Sequence, residues 1–390
     1  MISKIVAEYG YLSVNHFGEQ LCGDNVTVVE PDENTKVLVL ADGMGSGVKA
    51  NILSTLTSTM MSTMLAHNID FDECVQTIIS TLPICKDRLV AYSTFTAIRI
   101  YNGYQIQIYN YDNPTPFLIR DGKAVPLDFT SSIVSDKLIE QCSFKARLND
   151  CIVAMSDGAI HAGMGVTLNF GWELPQIMDF VQANYRKDLS AKAIATTLID
   201  RCNALYGYEP GDDTTSAVVR IRERKQVNLM FGPPVNPDDD ARMASLFFAK
   251  EGKHIVSGGT TAKIVANYLG REIIMDSVNM DETIPPMSII EGVDLVTEGM
   301  VTLQRVYEYA LNYLDSNSEY FNWNYRLDGA SLIASALFEE ATDINFFVGC
   351  AINPAHQDDD ALGYRLKMRI VDQLAGCLEK MHKRIKITYF

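Results

Sequence analysis

The chemistry-bearing feature of this chain is a set of aspartates placed where apolar runs give way to glycine or to a polar turn. Asp42 follows the run from Val37 to Ala41 and opens Asp-Gly-Met-Gly-Ser-Gly, residues 42–47. Asp157 follows the run from Cys151 to Met155 and lies inside Ser-Asp-Gly. Asp212 and Asp213 precede the strand-like stretch from Thr215 to Ile221, and Asp24, in Cys-Gly-Asp-Asn, precedes Val26 to Val29. Acidic turns on strand ends can converge on one cation cluster, and such hard oxygen ligands suit Mg²⁺ or Mn²⁺ rather than zinc. Gly43, Gly45 and Gly47 remove side-chain bulk beside Asp42, so the backbone can turn and a carbonyl can face a ligand. A single Asp-Gly turn before a capped helix is equally consistent with a purely structural role; the recurrence of the pattern is what favours chemistry.

In this order, Asp-Gly-Met-Gly-Ser-Gly, Ser-Asp-Gly and Gly-Asp-Asp-Thr-Thr, with Gly-Asp upstream, resemble the SpoIIE-type branch of the metal-dependent (PPM) serine/threonine protein phosphatases. The segment from Asn113 to Gly122 resembles the proline-containing segment of the same family. The resemblance covers roughly residues 1–224; residues 225–390 resemble no family. It implies a PPM-type β-sandwich flanked by helices and two divalent cations, Mn²⁺ or Mg²⁺, which hold phosphoryl oxygens and activate water. Carried over residue by residue, it implies that Asp42, Asp157 and Asp212 are catalytic. Asp42 bridges both cations, the Gly43 carbonyl and Asp24 serve one, Asp157 and Asp212 serve the other, and Asp213 supports them from behind. It also implies a phosphorylated regulatory protein as substrate, such as an anti-sigma-factor antagonist. The helix after Gly47 would communicate with a regulatory domain or with a second copy in a homodimer. Met44 stands where the eukaryotic members carry a histidine that can protonate the leaving group. Lys49 and Arg88 are candidates for a phosphate clamp by their nearness in sequence alone. The alternative is a catalytically inactive sensor or scaffold that keeps the fold and binds a phosphoprotein or a small ligand.

Composition bounds the rest. A chain of 390 residues, 47% hydrophobic and 21% charged, is expected to form two or three globular domains. The formal charge of −16, with no basic cluster, argues against nucleic acid or an anionic membrane as partner. No apolar run approaches a bilayer span and the start shows no signal-peptide pattern, so a cytoplasmic protein is expected. The eight cysteines contain no Cys-x-x-Cys and read as reduced thiols.

Elements must then position the aspartates. Val48, Ile52, Leu56, Met60 and Met64 recur at helical spacing, predicting a helix over 48–65. A second helix is expected over 71–82, with Asp70 as N-cap. Asn102-Gly103 and Asp121-Gly122 mark hairpins. Phe144 to Leu148 is expected to pair with Cys151 to Met155 across Asn149-Asp150. Helices over 172–183 and 190–206 precede Asp212, and His16 reads as a surface residue. The charged run 220–225 is taken as the boundary between a domain of residues 1–224 and one of residues 225–390.

Beyond it, strands and helices alternate, which predicts an α/β domain with a mainly parallel sheet, so the chain as a whole is α+β followed by α/β. Asn228 to Pro237 and Asn345 to Pro354 share the frame Asn-x-x-apolar-Gly-x-x-apolar-Asn-Pro, each soon followed by Asp-Asp-Asp-Ala. The loop Gly258-Gly259-Thr260-Thr261 runs from strand to helix and could leave N–H groups for an anion. With Asp239, Asp359 and Glu298 on the same edge, it would suit a nucleotide or phosphate with a divalent cation. The plain alternative is that Asn-Pro turns the chain and the aspartates cap a helix.

Overall fold

The computed structural model describes residues 4–82, 93–102, 104–275, 286–351 and 360–390, with residues 360–364 described by backbone alone. It divides into two compact units, Ala7–Arg222 and Met1–Val6 with Glu223–Phe390.

The first unit carries β1 (Ile5–Val14), β2 (Asp24–Val29), β3 (Lys36–Asp42), α1 (Gly47–Ala66) and α2 (Phe71–Thr81). Then come β4 (Thr94–Tyr101), β5 (Gln105–Tyr111), β6 (Phe117–Arg120), β7 (Lys123–Pro126), β8 (Thr130–Val134), β9 (Lys137–Lys145) and β10 (Cys151–Met155). A short α3 (Gly158–His161), then α4 (Leu174–Asn184), α5 (Ala191–Leu205) and β11 (Thr214–Glu223) complete it. A five-stranded sheet in the order β1-β11-β10-β6-β7 and a six-stranded sheet in the order β2-β3-β4-β5-β9-β8 form a β-sandwich. Helices α1 and α2 bury Met61, Leu65, Phe71, Val75 and Ile78 against Val37, Val39 and Ala97 of the second sheet. Helices α4 and α5 bury Ile177, Ile194, Leu198 and Cys202 against Val153, Met155 and Val218 of the first. With a helix on one face and the other sheet on the opposite face, β3 and β10 are apolar on both. That is why 37–41 and 151–155 are continuous runs rather than alternating ones.

Several expectations are met in detail. Asp70 caps α2 by accepting from Asp72 N, and the helix expected over 190–206 is α5, which Ser190 starts by accepting from Ala193 N. Asp121 and Gly122 both have positive φ in a two-residue turn between Arg120 and Lys123, a primed hairpin turn. Of the Asn102-Gly103 turn, Gly103 lies outside the described residues.

One expectation is corrected. The chain from Phe144 does not pair with Cys151–Met155. Phe144 pairs with Ile106 in one sheet, whereas Cys151–Val153 pairs with Phe117–Ile119 in the other. The Asn149-Asp150 turn instead passes the chain between sheets. Buried Asp150 takes a bidentate hydrogen bond from Arg120 (2.9 and 2.6 Å) and one from Arg147 N (2.7 Å), which fixes the start of β10 beside β6. Helix α1 turns the first part of its apolar stripe outward. Val48, Ile52 and Leu56 are 63%, 52% and 41% exposed, so the stripe they form faces outward. The buried face is Ala50, Leu53, Ser54, Thr57, Ser58, Met61, Ser62 and Leu65. Small and hydroxyl residues bring this helix close to β2: Ser58 Oγ donates to Asn25 Oδ1 (2.8 Å) and accepts from Thr27 Oγ1 (2.9 Å). The charged run 220–225 is not a solvated linker. Arg222, buried in β11, pairs with Glu8 at 2.7 Å, and Arg220 is buried with its guanidinium on the Leu189 and Lys187 carbonyls.

The second unit carries β12 (Gln226–Phe231), a 3₁₀ turn (Pro237–Asp239), α6 (Asp240–Phe248), β13 (Lys253–Ser257) and α7 (Gly259–Leu269). It continues with β14 (Ile274–Met275), β15 (Ser288–Ile289), β16 (Leu295–Thr297), α8 (Met300–Leu314), α9 (Tyr320–Trp323) and α10 (Gly329–Ala334). A π-helical turn (Ser335–Glu340), β17 (Asp343–Val348), α11 (Asp360–Lys380) and β18 (Arg384–Tyr389) end it. The sheet order is β14-β15-β16-β13-β12-β17-β18. The five strands from β16 to β18 are parallel, and only the edge pairings of β14 and β15 are antiparallel. The repeated sequence frame has a structural counterpart. Its two copies lie side by side, with Asn228 opposite Asn345 in register and Asn345 Nδ2 donating to Asn228 Oδ1 at 2.8 Å. Asn353, Pro354 and the second aspartate run up to Asp359 lie outside the described residues. Among the described residues, no helix is long and apolar enough to cross a membrane, and the seven described cysteines are free thiols.

Candidate active site

The aspartates gather where the two sheets of the first unit end together. Asp24 and Asp42 are direct partners in the antiparallel β2–β3 ladder, and the ladder is extended by Gly43 N donating to Gly23 O at 3.1 Å. From the other sheet, β10 ends at Met155 opposite Ser216 of β11, which brings Ser156 and Asp157 beside Asp212 and Asp213. Ser156 joins the sheets. Its hydroxyl donates to Asp24 Oδ2 at 2.7 Å and accepts from Thr215 N at 2.8 Å. Asp213 Oδ1 accepts from His16 N at 3.0 Å, so the turn at His16 holds this carboxylate through its backbone. Asp212 Oδ1 accepts from Asp213 N at 3.0 Å.

Two glycines permit the close approach. A methyl group at Gly43 would lie 2.1 Å from Ala50 O, so the first turns of α1 rest directly on this residue. One at Gly23 would lie 2.6 Å from Asp213 Oδ2. The proline-containing segment supports the site from the side: Thr94, the register partner of Asp42, donates to buried Asn113 Oδ1 at 2.7 Å.

The electrostatics are those of crowded carboxyls that raise one another's pKa. Burial, then the charges of Asp24, Asp157 and Asp212, push the Asp42 carboxyl up to about 10. Burial also raises Asp24 to about 7, against hydrogen bonds from Ser156 and Thr215 that favour its charged form. Asp212 is raised too, first by burial and then by Asp157. Asp24 Oδ1 and Asp213 Oδ2 are buried with no hydrogen-bond partner. Among the described residues, no three carboxylate, imidazole or thiolate side chains already close to ion-ligating distances; the aspartates converge but stand apart. The residues nonetheless fit a divalent cation: an all-oxygen donor set, two orphaned buried carboxylate oxygens, and carboxyls that a nearby positive charge would ionise.

Other sequence candidates are placed as follows. Met44 is half-buried beside the cluster, Lys49 is exposed in the first turn of α1, and Arg88 lies outside the described residues. His161, unremarked in the sequence, brings Nε2 to 4.0 Å from Asp157 Oδ2 and lines a surface pocket of about 340 Å³ with Pro114, Met164 and Phe170. Its signal was available, since position 161 is one helical turn after Asp157. In the second unit, Gly258–Thr261 does start a helix at the end of β13, but Gly258 N is used by Thr297 O (2.9 Å) and the Thr261 hydroxyl by Gly232 N (2.9 Å). Asp239 pairs with Arg242 at 3.4 Å, Glu298 is exposed after β16, and Asp359 lies outside the described residues.

Residues 32–222 match the family model for stage II sporulation protein E (SpoIIE). Three solved structures are similar to part of this chain. The PP2C phosphatase domain with a regulatory-domain fragment of SpoIIE from Bacillus subtilis is 22% identical, with 55% of this chain and 63% of that chain covered and a TM-score of 0.46. The RsbU and RsbW domains of a Mycobacterium tuberculosis protein are 16% identical, with 63% and 71% covered and a TM-score of 0.44. The catalytic domain of the serine/threonine protein phosphatase PstP, in complex with two manganese ions, is 16% identical, with 56% and 100% covered and a TM-score of 0.40. The match therefore spans under two thirds of the first of these structures. No curated protein matches the chain. The matched part, residues 32–222, carries Asp42, Asp157, Asp212 and Asp213 on its strand ends.

Proposed function

We propose that this chain is a divalent-cation-dependent phosphoserine/phosphothreonine protein phosphatase of bacterial regulatory type, controlled by its second unit. The observation that carries the reading is the convergence of Asp24, Asp42, Asp157 and Asp212 from four strand ends of two sheets onto one site whose crowded carboxyls raise one another's pKa. Two Mn²⁺ or Mg²⁺ ions bound there would polarise the phosphoryl group and activate water. Asp42 is assigned to both ions, Asp24 and the Gly43 carbonyl to one, and Asp157 and Asp212 to the other. Asp213, held by His16 N, keeps the loop before β11 in place. Ser156 fixes the rotamer of Asp24, so the donor set is oriented before a cation arrives.

The substrate is a phosphorylated protein, with an anti-sigma-factor antagonist as the class that the SpoIIE kinship suggests. Control would act through α1, because its first turns rest on Gly43 and a displacement of the helix displaces that carbonyl. The second unit or a second copy of the chain would supply the bias.

The test is phosphate release from a phosphoserine peptide as Mn²⁺ is titrated. Wild-type protein should turn over only with the metal. Asp42→Asn should lose roughly 100-fold or more, equivalent to at least about 2.7 kcal/mol of barrier, with its thermal unfolding retained. Equal turnover after chelation, or wild-type rates in Asp42→Asn, would overturn the proposal.

A further inference from the structure

The second unit has a binding edge of its own. Taken along the chain, its parallel strands β12, β13, β16, β17 and β18 are the first to fifth, and across the sheet they stand in the order third, second, first, fourth, fifth. The chain winds outward from β12 in one direction and then from β17 in the other. The switch point lies between these two strands, and in open sheets of this kind ligands bind in the crevice outside the carboxyl ends there. In this chain those ends are Phe231-Gly232 and Val348-Gly349, the glycines of the repeated sequence frame.

What occupies the crevice is a buried cation. Lys367 of α11 is only 8% exposed. Its ammonium donates to Gly349 O and lies 5.5 Å from the centre of the Phe231 ring. Among the described residues no carboxylate pairs with it. A methyl at Gly232, where φ is +81°, would overlap Nζ at 2.1 Å, and one at Gly349 would lie 2.1 Å from Pro233 O. Both positions therefore require glycine for the lysine and the two loops to meet. Burial lowers the lysine's pKa, and the Cys350 thiol only partly offsets this. An ammonium buried with one carbonyl and a ring keeps donors to spare, and burying it unpaired is costly.

Two longer helices begin on the same edge. Gly258 precedes α7 and Gly299 precedes α8. A methyl at Gly299 would lie 3.4 Å from Gly258 Cα and 3.5 Å from the Phe231 ring, so both N-termini adjoin the ring that Lys367 covers. In the first turn of α8 the Thr302 hydroxyl is buried and has no partner.

We infer that the switch point between β12 and β17 is a binding site for a small phosphorylated ligand, with Lys367 as counter-charge and the N-termini of α7 and α8 as further donors. A dianion suits this set, because one ammonium and two helix dipoles together exceed what a single carboxylate needs.

The test is hydrogen exchange on the full-length protein with inorganic phosphate, AMP or ATP, read peptide by peptide, together with calorimetric titration of the same probes. Protection of the peptides holding Gly232, Gly258–Thr261 and Gly349 is expected. Lys367→Met should weaken binding about tenfold or more, whereas Asp42→Asn should leave it unchanged. Equal binding of phosphate and AMP would assign recognition to the phosphate alone, and tighter binding of AMP or ATP would add the nucleoside. The inference is overturned if no probe at millimolar concentration protects these peptides, if protection falls only around Asp24 and Asp42, or if Lys367→Met binds as wild type. Should that variant not fold, the exchange map of the wild-type protein decides.

Discussion

The two units bury opposite charges by opposite means. The first brings Asp24, Asp42, Asp157 and Asp212 together from two antiparallel sheets, so its site exists only where one sheet ends against the other. The second builds its edge from one parallel sheet, where every strand points the same way and the chain order decides which crevice is open. The first site crowds carboxyls together, and among the described residues the second holds an ammonium with no carboxylate paired to it. Burying charge unpaired costs several kcal/mol per ion. A fold that does so twice marks two places where a ligand completes the electrostatics, and the sign of the buried charge gives the sign of the ligand.

The largest expected effect that could break this comparison is in the first unit. Ser156→Ala removes the hydroxyl that links Asp24 to Thr215. Because it orients a proposed ligand without touching the cation, metal affinity should fall about 10- to 100-fold, measured by Mn²⁺ titration of phosphatase rate. Unchanged affinity would mean that Asp24 is not part of the site. Helix α1 supplies a contrast in stability rather than in ligand affinity. Met61→Ala should cost about 2–5 kcal/mol in urea unfolding, whereas Ile52→Ser on the exposed stripe should stay within about 0.5 kcal/mol. The reverse order would mean that Ile52, not Met61, lies in the core.

A smaller effect concerns Lys367. Its pKa in the folded chain is lowered, so the unfolded state binds the proton more tightly, and the cost of burying the charge is fully present below the folded pKa. That cost is lost as pH rises from the folded value toward the ordinary lysine range near 10.5. The stability of Lys367→Met relative to wild type should therefore be greatest near neutral pH and decline on the alkaline side, as followed by denaturant unfolding. A difference independent of pH would show that the lysine is not strained by burial.

How far the sequence went depended on whether the signal was local. Asp70 as a cap, a helix from Ser190, the Asp121-Gly122 turn and the strand ends at Asp42 and Asp157 are written in a few adjacent residues, and the structure has them there. The alternation beyond residue 225 gave a parallel sheet, because crossovers of that length leave little choice. The rest turned on signals with two readings. On α1 the apolar period is real, but Val48, Ile52 and Leu56 mark the outer face while Met60 and Met64 pack against the core, and close packing on β2 selects alanine, serine and threonine for the inner face. Asn149-Asp150 is turn chemistry either way, and only Arg120, some 30 positions earlier, decides which strand Cys151 joins. The repeat at Asn228 and Asn345 was visible, but its meaning as two neighbouring strands around a switch point required the sheet order. Lys367 carried no local signal, because its burial follows from where α11 crosses the sheet.

The central claim is that strand-end aspartates of the first unit form a divalent-cation site. Calorimetric titration of Mn²⁺ into the metal-free protein tests it most directly. The wild-type chain is expected to bind two ions, and Asp42→Asn, lacking the carboxylate assigned to both, should lose at least one of them with its fold intact. Wild-type protein that binds no Mn²⁺, or Asp42→Asn that binds with the same stoichiometry and affinity, would contradict it.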